Sequence, residues 1–520
     1  MTTFNMKAET TLTRNRSGHV AYRLDARDRL MSYVLTSFVN EPKYYGDNTP
    51  ELVTLAKELA ATDGLFVAQL AVYARTVMNM RSSSHLLLAT LAHEVKGEQY
   101  VRRAVRAAVV RGDDVTEMLA AYFALFPGEP LPNSLRRGLR DALDRMGDYE
   151  LAKYRMADRP VKMADAVKLC HTRRREATRA LLAGELGKPT SWETELSAHG
   201  NTTETWEMLL AEGKVPYMAL LRNLRNLLEA NPAGLDAALE RLADPRMVAA
   251  SRQLPFRFWS AYRAVEGMAP HQATYTRGAR LSDRMLAEQL FALFGRTHRP
   301  YMASRTESLD PANKALAALS RALDASVANY PKLPGRTLVA VDMSGSMYCR
   351  LSGMGSVRYV DVAALLAACL VHLSDSCVVY AFSNDAERVP VMAGATVLDT
   401  MRLFNGHGGC TNMESVFLTA AHERVDVDRM VFLSDYEVNS GYILRSGKQC
   451  LQVNLEAYRR AVGHRVWLHA VDLAGNGTTQ FGGVDTTFTA GWSEKVLTFM
   501  AMAEEGTGSL EAAVEAVELA

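Results

Sequence analysis

The chain has 520 residues and 57.3 kDa, with 48% hydrophobic and 22% charged residues, a globular composition that excludes wholesale disorder. That length calls for two or three domains. The formal charge of +1 hides an asymmetry: residues 336–520 carry 13 Lys+Arg against 21 Asp+Glu, a net of −8, while residues 1–335 carry 46 against 37, a net of +9. This split fits a polyanion that meets only the first part, and equally two domains that attract each other. No apolar run approaches the roughly 18 residues of a membrane span, and Met1–Glu9 has no signal-peptide core. The six cysteines (Cys170, Cys349, Cys369, Cys377, Cys410, Cys450) include no Cys-x-x-Cys pair and no zinc spacing. The expectation is a cytoplasmic protein with reduced thiols and no membrane contact.

From about residue 28 to 330 the dominant period is helical. Glu51–Ala61, Gly64–Met80, Ser83–Val95, Glu98–Val110 and Asp114–Phe126 repeat apolar residues at i, i+3, i+4 and i+7, separated by short polar breaks. Thr203–Ala211, Pro216–Ala230, Pro232–Leu242 and Pro255–Met268 open with helix caps or with proline in the first turn. Many short helices joined by tight turns pack best as an array of antiparallel pairs, so the region is predicted to be an α-solenoid. The segment Tyr330-Pro-Lys-Leu-Pro-Gly335 stops the last helix and predicts a linker at 331–335.

Beyond it the rhythm changes. Thr337–Val341, Cys377–Ser383, Met430–Leu433 and Val466–Val471 read as strands, alternating with helices at Val360–Leu373, Met413–Glu423 and Leu451–Val462. Alternating β and α predicts a doubly wound parallel sheet, with ligands beyond the carboxyl ends of its strands. The fold class is therefore α plus α/β, with domains at 1–330 and 336–520.

The first strand ends in Asp342-Met-Ser344-Gly-Ser346, one carboxylate and two hydroxyls on a tight turn. These are hard oxygen donors of the kind Mg²⁺ prefers. Thr411, in the Gly-rich loop Gly406–Asn412, and Asp435, after the strand Met430–Leu433, would lie at the same sheet edge. An isolated Asp-x-Ser-x-Ser is more often a solvated turn; here it follows an apolar strand and has two matching oxygens. A phosphatase of the haloacid-dehalogenase type would need a second carboxylate as general acid where this chain has Ser344. There is no Walker A loop, Gly-x-Ser-x-Gly elbow or His-Glu-x-x-His. No catalytic residues are expected, and the chain is read as a non-enzyme. The five oxygens resemble the metal-ion-dependent adhesion site of von Willebrand factor A domains. That resemblance covers roughly 336–520 and implies Asp342, Ser344, Ser346, Thr411 and Asp435 as ligands of a divalent ion, Mg²⁺ by type.

Arginine clusters recur on the helical segments: Arg102, Arg103 and Arg106; Arg136, Arg137 and Arg140; Arg173 to Arg175; Arg222 and Arg225. Arg102 with Arg106, and Arg136 with Arg140, are i, i+4 neighbours on one face. Guanidinium forks suit phosphate oxygens. A solvated face with local acidic partners is the plainer alternative for any one cluster, and the clusters fit RNA and DNA alike.

Five stretches in order carry a further resemblance: Asp148–Tyr154, Met163–His171, Ser191–Ser197, Tyr217–Arg225 and Leu254–Tyr262. Followed by an A domain, they resemble the TROVE module of the Ro family of RNA-binding proteins, in its bacterial or phage-type form. The resemblance implies a monomeric ring of HEAT-like helical repeats closed by the A domain. It implies Y-RNA-like small non-coding RNAs on a basic outer surface and single-stranded 3′ ends of misfolded RNAs in the central hole. It also implies RNA quality control, maturation or decay beside an exoribonuclease such as polynucleotide phosphorylase. His171 matches a family histidine implicated in RNA contact; where the family usually continues Pro-Lys, this chain has Thr172-Arg173-Arg174. Candidate RNA contacts are His171, Arg173, Arg174, Lys162 and Lys168, with Arg102, Arg106, Arg136 and Arg140. A metal-dependent protein-interaction scaffold without an RNA role is the alternative.

Overall fold

The computed structural model describes residues 11–15, 18–23, 25–36, 49–155, 159–172, 176–187, 189–268, 310–351, 356–406, 408–438, 450–505 and 510–519. The chain forms two compact units, one from residues 1–190 with 330–520 and one from residues 191–329.

In the first unit the helices run α1 (Ala26–Thr36), α2 (Thr49–Thr76), α3 (Arg81–Glu94), α4 (Gln99–Ala108), α5 (Gly112–Leu125), α6 (Asn133–Leu143), α7 (Asp148–Lys153) and α8 (Met163–Cys170). The two helices expected at 51–61 and 64–80 run end to end in α2, and the expected break between them is the non-helical Asp63 (φ −147°, ψ 47°). Helix α2 packs on α3 and α4, and α4 packs on α6. The α4–α6 crossing is close: a Cβ on Gly138 would lie 2.7 Å from the Arg102 carbonyl oxygen and from Val105 Cβ.

Asp114, in the first turn of α5, ties three helices together. Its carboxylate accepts the backbone N–H groups of Val110 (3.0 Å) and Arg111 (2.8 Å). It also accepts Arg75 Nη2 of α2 and Arg81 Nε of α3, both at 2.8 Å, and His85 Nε2 stands 3.2 Å away. Burial opposes ionisation here. The hydrogen bonds to His85 and Arg75 outweigh it and hold the carboxyl well below the ordinary range.

The same core takes in Phe499, Leu510 and Val514, from the C-terminal helices Val496–Glu505 and Leu510–Glu515. The division at 335 that the sequence suggests is therefore crossed by shared apolar burial, which stabilises by about 25 cal/mol per Å².

The A-domain sheet has the order β5-β4-β3-β6-β7-β9. Its strands are β3 (Leu333–Asp342), β4 (Ser374–Phe382), β5 (Ala386–Arg388), β6 (Arg429–Ser434), β7 (Trp467–Asp472) and β9 (Thr486–Ala490). All pairs are parallel except β4–β5. Strand β3 starts earlier than expected, because Leu333 already pairs with Ser374. Strands β6 and β7 are buried at every position, and eleven residues of the helix Tyr359–Leu373 are buried, as a sheet covered on both faces requires. Phe432 stacks on Phe417 (5.6 Å between ring centroids) and tilts against Phe481 (5.2 Å) in the core. At the amino end of β6, buried Arg429 is held by Glu504, with Nε at 2.6 Å, and His469 Nε2 lies 2.8 Å from the same carboxylate. Burial pushes that carboxyl up, but Arg429 and His469 bring it down to about 2.

A second, antiparallel sheet joins β1 (Thr11–Arg14), β2 (Val20–Arg23) and β8 (Thr478–Thr479). None of these strands shows in the sequence pattern. Each is four residues or fewer, and β2 meets β8 only through a pairing of distant segments.

The unit 191–329 is helical where described. Its core includes Trp206, Leu220, Phe258, Trp259 and Leu319. Ser191 and Thr202 cap their helices by accepting the N–H groups of Thr194 (3.3 Å) and Thr205 (3.2 Å). The helix expected over 216–230 breaks in two at Asn223 (φ −102°, ψ 13°), whose Nδ2 donates back to the Ala219 carbonyl at 2.9 Å. Such local side-chain bonding competes with the helix ladder. Arg225 of the expected cluster pairs with Glu229 at 3.0 Å.

Candidate nucleic-acid interface and metal centre

Strand β3 delivers Asp342 fully buried to the carboxyl edge of the sheet. Its Oδ1 accepts the Ser344 N–H (2.8 Å) and its Oδ2 accepts the Ser434 hydroxyl (2.6 Å). The Ser344 and Ser346 hydroxyls lie 3.2 Å apart. The Gly-rich loop is pinned beside this turn by Gly345 N–H to the Gly409 carbonyl (3.3 Å) and Cys410 N–H to Asn384 Oδ1 (3.0 Å). Gly409 (φ +124°) leaves no room for a Cβ, which would meet Asn384 Oδ1 at 2.9 Å. Thr411, next in that loop, is buried.

Asp435 is also buried, with Oδ1 accepting the Glu437 N–H at 3.2 Å. Burial, then the charge of Asp435, pushes the Asp342 carboxyl up to about 7. Ser434 and Asp472 also belong to this edge and escaped the sequence reading. The signal for Ser434 is its place directly before Asp435. The signal for Asp472 is an acidic residue ending the strand beside β6. Asp472 is pushed well up by burial, with Asp435 adding to it, and accepts the N–H groups of Ala474, Gly475 and Gly477. Among the described residues no Lys, Arg or His forms an ion pair with Asp342, Asp435 or Asp472. A buried edge of carboxylates and hydroxyls with no counter-cation among the described residues fits a hard divalent ion.

Several basic candidates lie on helices of the same unit that pack on one another. Helices α4, α6 and α8 pack in sequence, α4 on α6 and α6 on α8. Arg103 and Arg106 of α4 and Arg137 of α6 are exposed, and Arg136 is half-buried. Lys162 stands exposed just before α8, Lys168 within it and His171 just beyond it, with His171 in the left-handed region at φ 51°. Arg136 and Arg140 come near enough to the Cys170 thiol to oppose the burial that pushes it up to about 12. The ends of α6 and α8 therefore share one neighbourhood.

Two arginines of the expected set are partly neutralised. Arg102 Nε donates to Asp141 at 2.7 Å, and Arg140 Nε lies 4.0 Å from the same carboxylate. The i, i+4 spacing that puts Arg102 beside Arg106 does not show that Asp141 of α6 faces it. Among the described residues no carboxylate lies within ion-pair distance of Arg103, Arg106, Arg136, Arg137, Lys162 or Lys168. Arg173 and Arg174 lie outside the described residues.

The TROVE domain matches residues 30–185 and 174–333, and the Ro60 von Willebrand A domain matches residues 336–487. The chain belongs to the Ro family. Family members bind RNA. The crystal structure of the Deinococcus radiodurans Ro protein superposes with a TM-score of 0.61, covering 92% of this chain and all of that one at 21% identity, a likeness of fold. Telomerase protein component 1 of Mus musculus is 24% identical over 326 residues, as is that of Rattus norvegicus. The match covers 46% of this chain, and the chain spans only 12% of either relative's length. Among the described residues no helix is long and apolar enough to cross a membrane.

Proposed function

We propose that this Ro-family chain is a non-catalytic RNA-holding protein whose α4–α6–α8 face takes the phosphates of a small, structured, Y-RNA-like non-coding RNA. In this reading it also receives single-stranded 3′ ends, and it acts in RNA quality control or maturation beside an exoribonuclease such as polynucleotide phosphorylase. The observation that carries the reading is the set of six basic side chains on or beside three helices that pack in turn, α4 on α6 and α6 on α8, without acidic partners among the described residues. Such a face attracts a polyanion by counterion release. Six contacts to a single strand give a log–log salt slope of about −4, a loss of roughly 300-fold between 50 and 200 mM salt. Filter binding across that range tests this, and a flat salt response overturns it. Crosslinking followed by sequencing of the attached RNA identifies the ligand.

The second part of the proposal is a Mg²⁺-type ion held by Asp342, Ser344, Ser346, Thr411 and Asp435, some of them through water. The ion supplies a positive charge that relieves the buried carboxylates and leaves a coordination position for an outside carboxylate. Saturating Mn²⁺ or Mg²⁺ at ~100 times Kd should stabilise the fold by about 2.7 kcal/mol, seen as a rise of a few degrees in Tm. Asp342→Ala should abolish that rise. Ser344→Ala with Ser346→Ala should leave RNA affinity within about twofold, because distant sites act independently.

A further inference from the structure

The N-terminal residues 11–36 reach the acidic half of the metal edge at several separate points. Asn15, buried at the end of β1, donates its Nδ2 to the Val438 carbonyl (3.1 Å) and to the Tyr436 carbonyl (3.4 Å). Its Oδ1 accepts the His19 N–H at 2.8 Å, so the amide is oriented by its own hairpin. The segment it grips follows Asp435 directly and contains Tyr436 at φ 56°, a left-handed conformation that a large side chain holds only when its surroundings impose it.

The next loop along the edge is held from the same side. Tyr33 donates its hydroxyl to the Gly475 carbonyl (2.7 Å), and Tyr22 and Arg23 pair with Thr479 and Thr478. That loop grips Asp435 in turn, since Asn476 Nδ2 donates to the Asp435 carbonyl at 2.8 Å. Ser32 exchanges hydrogen bonds with the backbone of Ala490, at the end of β9. One side of the metal edge, from Asp435 to Asp472, is thus fastened by chain more than 400 residues away.

We propose that the N-terminal hairpin and α1 together form a positioning clamp for the cation site, with Asn15 of the hairpin setting the backbone that carries Asp435 and Tyr33 of α1 bracing the loop behind it. The proposal rests on the reading of that edge as a metal site. Outer partners that orient ligands typically change metal affinity 10- to 100-fold when removed. Asn15→Ala in the full chain should therefore raise the Mn²⁺ Kd at least about tenfold, read by electron paramagnetic resonance titration. It should also speed hydrogen exchange at the amides of 436–438. Tyr33→Phe, which keeps the buried ring and removes only the donor, should raise Kd severalfold and serves if Asn15→Ala does not fold.

Glu504→Gln, at the opposite end of the strands, is the control. It should lower Tm while leaving the Mn²⁺ Kd unchanged, which separates positioning from general loss of stability. Wild-type protein that binds no Mn²⁺ overturns the metal reading itself. Wild-type binding with unchanged Kd in Asn15→Ala and Tyr33→Phe overturns the clamp and leaves the metal site standing.

Discussion

A triple charge reversal of Arg106→Glu, Arg136→Glu and Lys168→Glu is expected to weaken RNA binding about a thousandfold near physiological salt, and the same three changes to Ala about 50-fold. Each lost phosphate contact removes about 0.7 from the log–log salt slope on a single strand, so the triple Ala variant should lose about 2. The three residues sit on α4, α6 and just within the last turn of α8, and none has an acidic partner among the described residues, so removing them leaves no buried charge behind. The fold should be kept, as circular dichroism would show. Arg102→Ala is the informative contrast. Its guanidinium is already engaged by Asp141, so its loss should weaken RNA less than loss of Arg106 does. Equal RNA affinity in the triple Glu variant and wild type, with both folded, sinks the assignment of this face.

Asp114→Asn is expected to destabilise the first unit by about 3–5 kcal/mol, the cost of leaving a buried cation without its partner. The Arg75 and Asp114 side chains are both buried. An amide can still accept one hydrogen bond, but it cannot neutralise Arg75 and Arg81 together. Changing Arg75→Met in the same chain should recover part of the loss, because it removes the stranded charge. The pH dependence has a definite sign. A carboxyl held below its ordinary value in the folded state contributes stability that is full above about pH 5 and lost as pH falls through and below pH 4. The gap between wild type and Asp114→Asn should therefore narrow in acid. Urea unfolding at pH 7 and pH 3 measures both effects. A difference below about 1 kcal/mol at pH 7 would mean that solvent reaches this network and screens it.

Much of this architecture was legible in the residues. The i, i+3, i+4 pattern placed α3, α4 and α5 to within a few positions, because burial of one face imposes the helical period whatever the partner. The apolar runs at 337–341 and 430–433 placed β3 and β6 for the same reason, since a strand covered on both faces needs apolar side chains throughout. Misses came from a local side-chain bond and from partners distant in the chain. Asn223 broke a helix that periodicity alone would continue, through a bond to its own preceding turn, whereas the break expected at 62–64 is present at the non-helical Asp63. The hairpin β1–β2 was too short to show a pattern. At the candidate sites, the Asp342-x-Ser-x-Ser turn was visible because its donors fall within one short turn of the chain, whereas Asp472 and Ser434 took meaning only from their neighbours.

Local order along the chain thus determined the periods, the caps, the family motifs and the chemical type of the donors, because each depends on residues within one or two turns of each other. Only the folded chain decided which charges are cancelled and which are free: Asp141 meets Arg102 but not Arg106, and Asn15 reaches Val438 across 423 residues. Such meetings are set by the close packing of whole elements against one another, whose geometry no short stretch of sequence contains.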